Sequence, residues 1–214
     1  MDYEGIAIER LYHDCFKIKG SKTVYFDPYQ INKDEHKADV ILITHEHFDH
    51  CSPEDIEKVS NANTIIITVA DCQSKLSCLN IRNVTLVEPG DKVELLGLVV
   101  EAVPAYNTDK WRSPGVPFHP KENAMIGFVL SIDGKRIYHA GDTDLIAEMN
   151  NLKNIDIALL PVSGTYVMTA LEAVEACKLI HPKLAIPMHY GAIVGTESDA
   201  RTFKERAPCR VEII

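Results

Sequence analysis

Residues 44–51, Thr-His-Glu-His-Phe-Asp-His-Cys, place three of the chain's nine histidines and one aspartate within six consecutive positions. They directly follow residues 38–43, Ala-Asp-Val-Ile-Leu-Ile, which are apolar except for Asp39. This apolar run is typical of a buried strand, and Ser52 is a suitable N-cap for the helix predicted after it. The histidine-rich residues are therefore predicted at the carboxyl end of a strand, where α/β proteins commonly build functional sites.

Four side chains of this stretch are candidate metal ligands, namely His45, His47, Asp49 and His50. On an irregular turn, the first two can point one way while the last two point another, so that they serve two neighbouring ions. Imidazole and carboxylate donors suit Zn²⁺, Mn²⁺ or Fe. The alternative is a polar loop that is rich in histidine without binding a metal.

Composition sets the class of the protein. The chain has 214 residues, 46% of them hydrophobic, with 11 glycines and 11 prolines, which predicts a single domain over residues 1–214 with a sizeable core. No apolar run approaches the roughly 20 residues of a membrane-spanning helix, and residues 1–10 lack the form of a secretory signal. We therefore expect a cytoplasmic protein that does not associate with membranes.

Cysteine usage and charge agree with that expectation. The six cysteines contain no C-x-x-C pair, so we expect reduced thiols and neither a disulfide framework nor a thiolate zinc site. The net charge of −9 repels phosphate backbones and argues against nucleic-acid binding. The expected partner is a small-molecule substrate.

Strand and helix patterns alternate along most of the chain, which indicates an α/β fold. A hairpin is predicted over residues 124–143 with its turn at Asp133-Gly134, and helices are predicted from Thr169 and around residues 197–207. Residues 107–123 form the longest stretch without a regular pattern. Loops of this length are usually functional, so this segment is the candidate lid.

The spacing His45-x-His47-x-Asp49-His50 resembles the H-x-H-x-D-H signature of the metallo-β-lactamase-fold hydrolases. His-Ala-Gly-Asp-Thr at 139–143 looks like that family's bridging-aspartate segment, and Ile-Pro-Met-His-Tyr-Gly at 186–191 like its last histidine segment. The resemblance implies that Asp142 bridges two metals and that His189 completes the second site. It also implies an αββα four-layer sandwich, in which two mixed sheets are flanked by helices.

The closer resemblance is to a small single-domain branch of uncharacterised metal-dependent hydrolases related to ascorbate-phosphate lactonase-like proteins. It rests on the segments Asp-Pro-Tyr at 27–29, Val-Pro-Ala-Tyr-Asn at 103–107 and Phe-His-Pro-Lys-Glu-Asn at 118–123. By the same resemblance, Asp27 fixes the orientation of the histidine motif, and His13 faces the site. A surface aspartate and an ordinary partly buried histidine are the respective alternatives.

One position departs from the family pattern. The family usually carries a further histidine after the strand that ends in Val-Pro-Ala, and this chain has Asn107 there. Three arrangements are open: Asn107 binds through its carbonyl oxygen, a water takes the position, or His119 from the long loop supplies the ligand. An open coordination position is compatible with catalysis, because catalytic metals need room for water and substrate.

The function implied is that of a metal-dependent hydrolase cleaving a small ester, lactone or phosphodiester, with Asp49 or Asp142 as the proton-relaying carboxylate. We expect two divalent metals per chain, with Zn first and Mn, Fe or Ni as alternatives. The first alternative function is a non-catalytic metal-binding or scaffold protein. A di-iron redox protein is less favoured, because the redox members of the fold look like H-x-E-x-D, whereas this chain has His47. A homo-oligomer is compatible with the sequence.

Overall fold

The computed structural model describes residues 1–32 and 35–214. It divides into two compact units, residues 1–88 and 89–214. Each unit contains one seven-stranded mixed sheet. The predicted α/β class with two mixed sheets and helices is confirmed.

The sheet of the first unit runs in sequence order from β1 to β7. Its strands are β1 Asp2–Tyr3, β2 Ile6–Tyr12, β3 Cys15–Lys19, β4 Thr23–Phe26, β5 Val40–Leu42, β6 Ile65–Thr68 and β7 Asn83–Leu86. The first four strands pair antiparallel, and β4 to β7 pair in parallel. The helices are α1 Pro53–Val59 and α2 Gln73–Leu76, with a 3₁₀ turn at Ala70–Cys72.

Strand β5 lies within the parallel part of this sheet, and all three of its residues are buried. A short, continuously apolar strand is what a parallel sheet requires when both of its faces are covered. The chain then leaves the carboxyl end of the strand and reaches α1, where the side chain of Ser52 accepts a hydrogen bond from the Asp55 amide. The predicted position of the histidine-rich residues, between a buried strand and a helix capped by Ser52, is confirmed.

The sheet of the second unit has the strand order β16-β15-β14-β13-β12-β9-β8. Its strands are β8 Lys92–Leu95, β9 Leu98–Pro104, β12 Ile126–Ile132, β13 Lys135–His139, β14 Ile157–Pro161, β15 Leu184–Met188 and β16 Arg210–Val211. Strands β13 to β16 are parallel, and the others pair antiparallel. The helices are α3 Ala170–Ile180 and α4 Glu197–Arg206, with 3₁₀ turns at Lys121–Asn123 and Ala147–Asn151.

The hairpin predicted at Asp133-Gly134 is confirmed as the β12–β13 connection. Both turn residues have positive φ, 48° and 76°, as the favoured two-residue hairpin turn requires. The prediction for residues 107–123 was wrong in part, because the segment contains a two-stranded hairpin of β10 Trp111–Ser113 and β11 Val116–Pro117. Within the described residues, no helix is long and apolar enough to cross a membrane.

Candidate metal centre

The first donor set consists of His45, His47, Asp49 and His50, which follow β5 in the first unit. Three of the four are buried, and His47 is half-buried. His45 Nε2 lies 3.0 Å from His47 Nδ1, and His50 Nε2 lies 3.8 Å from Asp49 Oδ2. Two ligand atoms each about 2.1 Å from one tetrahedral ion are about 3.4 Å apart. The spacing and chemistry of these donors therefore fit divalent-metal coordination.

Asp27, at the end of β4, holds this set in place. Its Oδ1 accepts a hydrogen bond from the Thr44 amide at 2.8 Å, and its Oδ2 accepts one from the Thr44 hydroxyl at 2.7 Å. His50 Nδ1 lies 2.7 Å from the same Oδ2. A proton on His50 Nδ1 is thereby stabilised, which leaves Nε2 as the nitrogen suited to a metal. Asp27 thus lies where the family resemblance implies an orienting carboxylate, and it also binds Thr44, which no feature of the sequence indicates.

His13 and Asp14 occupy the turn between β2 and β3, and both are buried. His13 Nε2 lies 3.8 Å from Asp49 Oδ2, and Asp14 Oδ2 lies 3.6 Å from His50 Nε2. The structure thus brings the predicted residue His13 to the first donor set. Asp14 was missed, and its signal in the sequence is weak: one acidic residue next to a histidine in a two-residue turn.

The second donor set consists of His119, Asp142 and His189, all buried, in the second unit. Asp142 follows β13 and His189 follows β15, so both lie at the carboxyl ends of strands in the parallel part of the sheet. Asp142 Oδ2 lies 3.4 Å from the Nε2 atom of each histidine. Both distances match the separation of neighbouring ligands on a tetrahedral ion.

Asn107 does not take the position of a ligand beside Asp142 in this set. Its side-chain oxygen accepts hydrogen bonds from the His119 amide at 2.8 Å and from His119 Nδ1 at 3.0 Å. Its Nδ2 donates to Asp144 Oδ1 at 3.1 Å and to the Tyr166 carbonyl at 2.7 Å. Both ends of the amide are engaged, and the result is to direct His119 Nε2 toward Asp142.

His189 is oriented by Ser163, whose hydroxyl lies 3.0 Å from His189 Nδ1. Three of the predicted site residues, His13, Asp27 and His189, have positive φ values of 31°, 42° and 57°. Non-glycine residues seldom adopt this conformation, and such strain is concentrated at functional sites. Ser163 and His189 are 26 residues apart, so the sequence gives no local sign of their contact.

Asp144 fixes the start of the segment that carries His119. It accepts hydrogen bonds from the amides of Thr108 at 2.7 Å and Asp109 at 3.0 Å. Lys110 Nζ lies 3.5 Å from Asp144 and 3.1 Å from Glu172. Partial burial by itself lowers the pKa of Lys110, but these carboxylates and Asp109 outweigh it and raise the pKa above its usual value. The lysine therefore stays charged and secures this segment.

The sequence profile described as "Beta-lactamase superfamily domain" matches residues 7–189, a range that contains both donor sets. The chain belongs to the β-lactamase superfamily. This confirms the resemblance to the metallo-β-lactamase-fold hydrolases and the fold that it implies.

Members of the superfamily with high similarity to this chain carry hydrolase names. The UPF0173 metal-dependent hydrolase of Thermoplasma acidophilum is 35% identical over 208 residues, which cover 91% of this chain and 88% of the relative. A solved structure from Parabacteroides distasonis, described as a metal-dependent hydrolase, is 35% identical with a TM-score of 0.83, covering 97% of this chain and 92% of that one. Igni18, a metallo hydrolase from Ignicoccus hospitalis, has a TM-score of 0.78 at 23% identity, covering 98% and 94% of the two chains, and shows the shared fold.

Proposed function

We propose that this chain is a metal-dependent hydrolase and that its donor sets bind divalent cations, two per chain. The observation that carries the proposal is the position of Asp142 Oδ2, 3.4 Å from the Nε2 atoms of both His119 and His189. A carboxylate with two imidazoles at ligand spacing is a typical metal-binding group in proteins. The hydrolase names of relatives 35% identical to this chain support the same function.

His119 is proposed as the ligand that replaces the usual histidine at the position of Asn107. Two hydrogen bonds from His119 to the Asn107 oxygen support this assignment, because a metal-binding histidine usually has its second nitrogen fixed by a hydrogen bond. Asn107 then acts as a positioning residue. Zn²⁺ is the first expectation for the metal, and Mn, Fe and Ni are the alternatives.

When bound, the cations would lower the pKa of a coordinated water and polarise the bond to be cleaved. The chain's own residues supply the rest of the chemistry. Asp49 and Asp142 are the carboxylates that would hold a proton and deliver it to the leaving group. Asp27 and Ser163 fix the rings of His50 and His189 through their Nδ1 atoms, at 2.7 and 3.0 Å.

The proposed substrate is a small ester, lactone or phosphodiester, and no partnership with nucleic acid or a membrane is proposed. The net charge of −9 supports the exclusion of nucleic acid.

We also propose a cytoplasmic location, supported by the six cysteines, all of which are free thiols. A single functional domain over residues 1–214 and a homo-oligomer stay predictions, which light scattering and calorimetry would test.

The decisive experiment measures metal content by elemental mass spectrometry on protein purified without chelator or nickel resin. Lactone and phosphodiester turnover is followed before and after metal stripping and restoration. Two metals per chain with restorable turnover would support the proposal. One metal with turnover would place the chemistry on a single ion, and no metal uptake would favour the scaffold alternative.

Single substitutions in each donor set test whether both sets contribute. We expect His50→Ala and Asp142→Ala each to reduce metal content and to abolish turnover. His36→Ala is the matched control, because His36 is an exposed histidine in neither set. Wild-type turnover in metal-replete Asp142→Ala protein would exclude the proposed role of this aspartate.

A further inference from the structure

Two of the six cysteines, Cys177 and Cys209, are in direct contact in the second unit, and neither belongs to a donor set. Cys177 lies in the last turn of α3, and Cys209 lies in the bend between α4 and β16. The Cys177 thiol donates a hydrogen bond to the Cys209 sulfur. The fold therefore brings together two thiols from distant parts of the sequence.

Both cysteines line one cavity of about 220 Å³. Its other lining residues are Lys178, His181, Pro182 and Pro208. One water molecule needs roughly 10–15 Å³ of such space, so the cavity is large enough to admit a small oxidant such as hydrogen peroxide.

The two thiols differ in how accessible they are. Cys209 is half-buried, whereas Cys177 is only 1% exposed. A reagent from solvent is therefore expected to reach Cys209 first, and Cys177 is expected to react through Cys209.

The hydrogen bond between the thiols favours the same order of reaction. It lowers the pKa of Cys209 and outweighs burial, which acts in the opposite direction. The same hydrogen bond, together with burial, raises the pKa of Cys177. Because the thiolate is the reactive form of cysteine, Cys209 is suited to attack an oxidant while Cys177 keeps its proton.

The remaining cysteines provide a comparison within the chain. Cys51 and Cys72 of the first unit also share a hydrogen bond, but they are 1% and 0% exposed. Cys78 is exposed, and its thiol donates to the Lys75 carbonyl at 3.1 Å. The pair in the second unit combines an accessible thiol with a neighbouring one, as a redox-active pair requires.

We propose that Cys177 and Cys209 form a reversible disulfide when the protein meets a peroxide, so that this pair is a site of oxidative modification. Disulfides in reducing compartments are usually transient and redox-sensing, which agrees with the free thiols of this structure. The site does not depend on the proposed hydrolase function.

The reaction takes place in two steps. The Cys209 thiolate attacks one oxygen of hydrogen peroxide, so that an S–O bond forms, the O–O bond breaks, and the departing hydroxide takes up a proton to become water. The Cys177 sulfur then attacks the sulfenic acid of Cys209, so that the S–S bond forms and the S–O bond breaks. The departing hydroxide takes the proton of Cys177 and leaves as a second water. Both sulfur atoms are oxidised, and the peroxide is reduced.

The disulfide would join the end of α3 to the residue that precedes β16. Its bond length of about 2.05 Å requires the two sulfur atoms to move closer than they are in a hydrogen bond. Cys209 lies in an irregular bend, where the backbone can adjust. The closed loop, residues 177–209, includes β15 and α4, and closing it restricts the unfolded chain. The oxidised protein is therefore expected to be the more stable form.

The test treats the full-length, reduced protein with hydrogen peroxide. Cys78→Ser serves as the parent protein, because removal of this exposed thiol prevents cross-links between molecules. Remaining thiols are blocked with iodoacetamide, and the digested protein is mapped by mass spectrometry. We expect one cross-linked peptide pair, joining Cys177 to Cys209 with the loss of two hydrogen atoms. The cross-link should raise the Tm, and dithiothreitol should reverse both effects.

Single substitutions in the parent protein separate the roles of the two thiols. Cys177→Ser should abolish the cross-link and leave a sulfenic acid on Cys209 that dimedone traps. Cys209→Ser should abolish the cross-link and leave Cys177 unlabelled by dimedone. Cys72→Ser is the matched control, because it removes a thiol of the buried pair and should retain both the cross-link and the rise in Tm.

Two outcomes would overturn the proposal. The first is peroxide treatment of the parent protein that oxidises Cys209 without linking it to Cys177. The second is a rise in Tm that persists in Cys209→Ser. Circular dichroism verifies that each variant is folded, and the peptide map of the parent protein is decisive even if a variant is not.

Discussion

Asn107 has both ends of its side-chain amide engaged, and this supports the proposal that it positions His119 as a metal ligand. The oxygen holds the backbone and ring of His119, and the nitrogen is bound to Asp144 and Tyr166. A side chain with four such contacts in a buried position is suited to orienting a neighbour. In the proposed centre, His119 would supply the imidazole donor and Asn107 would support it.

The role of Asn107 is tested with Asn107→Ala. Because His119 would lose its orienting partner, we expect metal affinity to fall about 10- to 100-fold, as is usual when the partner of a ligating histidine is removed. Competitive metal titration measures the effect. Excess metal should restore much of the turnover, which it should not do for His119→Ala. Unchanged affinity in Asn107→Ala would contradict the assignment.

A second residue-scale prediction concerns Asp27. Asp27→Asn should weaken metal binding by a similar 10- to 100-fold, because the carboxylate that fixes His50 Nδ1 becomes a neutral amide. Asp39→Asn is the matched control, since the Asp39 carboxylate accepts a hydrogen bond from the Thr23 amide in the same unit and lies outside the donor set. If both variants bind metal equally well, Asp27 has no positioning role.

At this scale the sequence was informative where donors are close along the chain. His45, His47, Asp49 and His50 could be predicted because four metal-type side chains in six positions are distinctive. Asp14 and Ser163 could not, because each reaches a predicted residue only through the pairing of distant segments. A single acidic or hydroxyl residue in a turn carries no local sign of such a contact.

At the scale of elements, α1 depends on a buried carboxylate in its first turn. Asp55 accepts hydrogen bonds from the Ile31 amide at 2.9 Å, the Ser52 hydroxyl at 2.7 Å and Lys58 Nζ at 2.9 Å. Burial by itself raises the pKa of Asp55, but these bonds outweigh it and hold the pKa below its usual value. The ionised form therefore joins the helix to the segment that follows Asp27.

Asp55→Asn should lower the free energy of unfolding by about 1–3 kcal/mol near neutral pH. Because the folded-state pKa is depressed, the stabilisation by the wild-type carboxylate is present above its unfolded-state pKa of about 4 and is lost as the pH falls below it. The difference between the two proteins should therefore shrink from pH 6 to pH 3. Urea unfolding at several pH values measures it, and a constant difference would refute the argument.

Other elements show why some secondary structure can be predicted from the sequence and some cannot. Helix α3 begins at Thr169 with a capping box to Glu172, as the sequence indicates. The strands β10 and β11 escaped prediction because Trp111, Arg112 and Ser113 are all exposed, so no alternation of buried and exposed positions marks them. A pattern of hydrophobic residues predicts only those elements that face a core.

At the scale of the whole molecule, both sheets follow one plan, with antiparallel strands followed by parallel ones. In each sheet, candidate donors follow strands of the parallel part: the first donor set after β5, and Asp142 and His189 after β13 and β15. The fold class was predictable because strand and helix patterns alternate and the histidine signature is specific. Substrate choice was not, because the same fold and ligands serve different reactions.

Metal binding is expected to stabilise the whole protein. A ligand that binds only the folded state adds about 2.7 kcal/mol when its free concentration is 100 times its Kd. Chelator treatment should therefore lower the Tm of the wild-type protein by several degrees, and restored Zn²⁺ should raise it again. Asp142→Ala should show a smaller shift, while the exposed control His36→Ala should match the wild type. An unchanged wild-type Tm after complete metal removal, verified by elemental analysis, would show that the donor sets do not couple metal binding to folding.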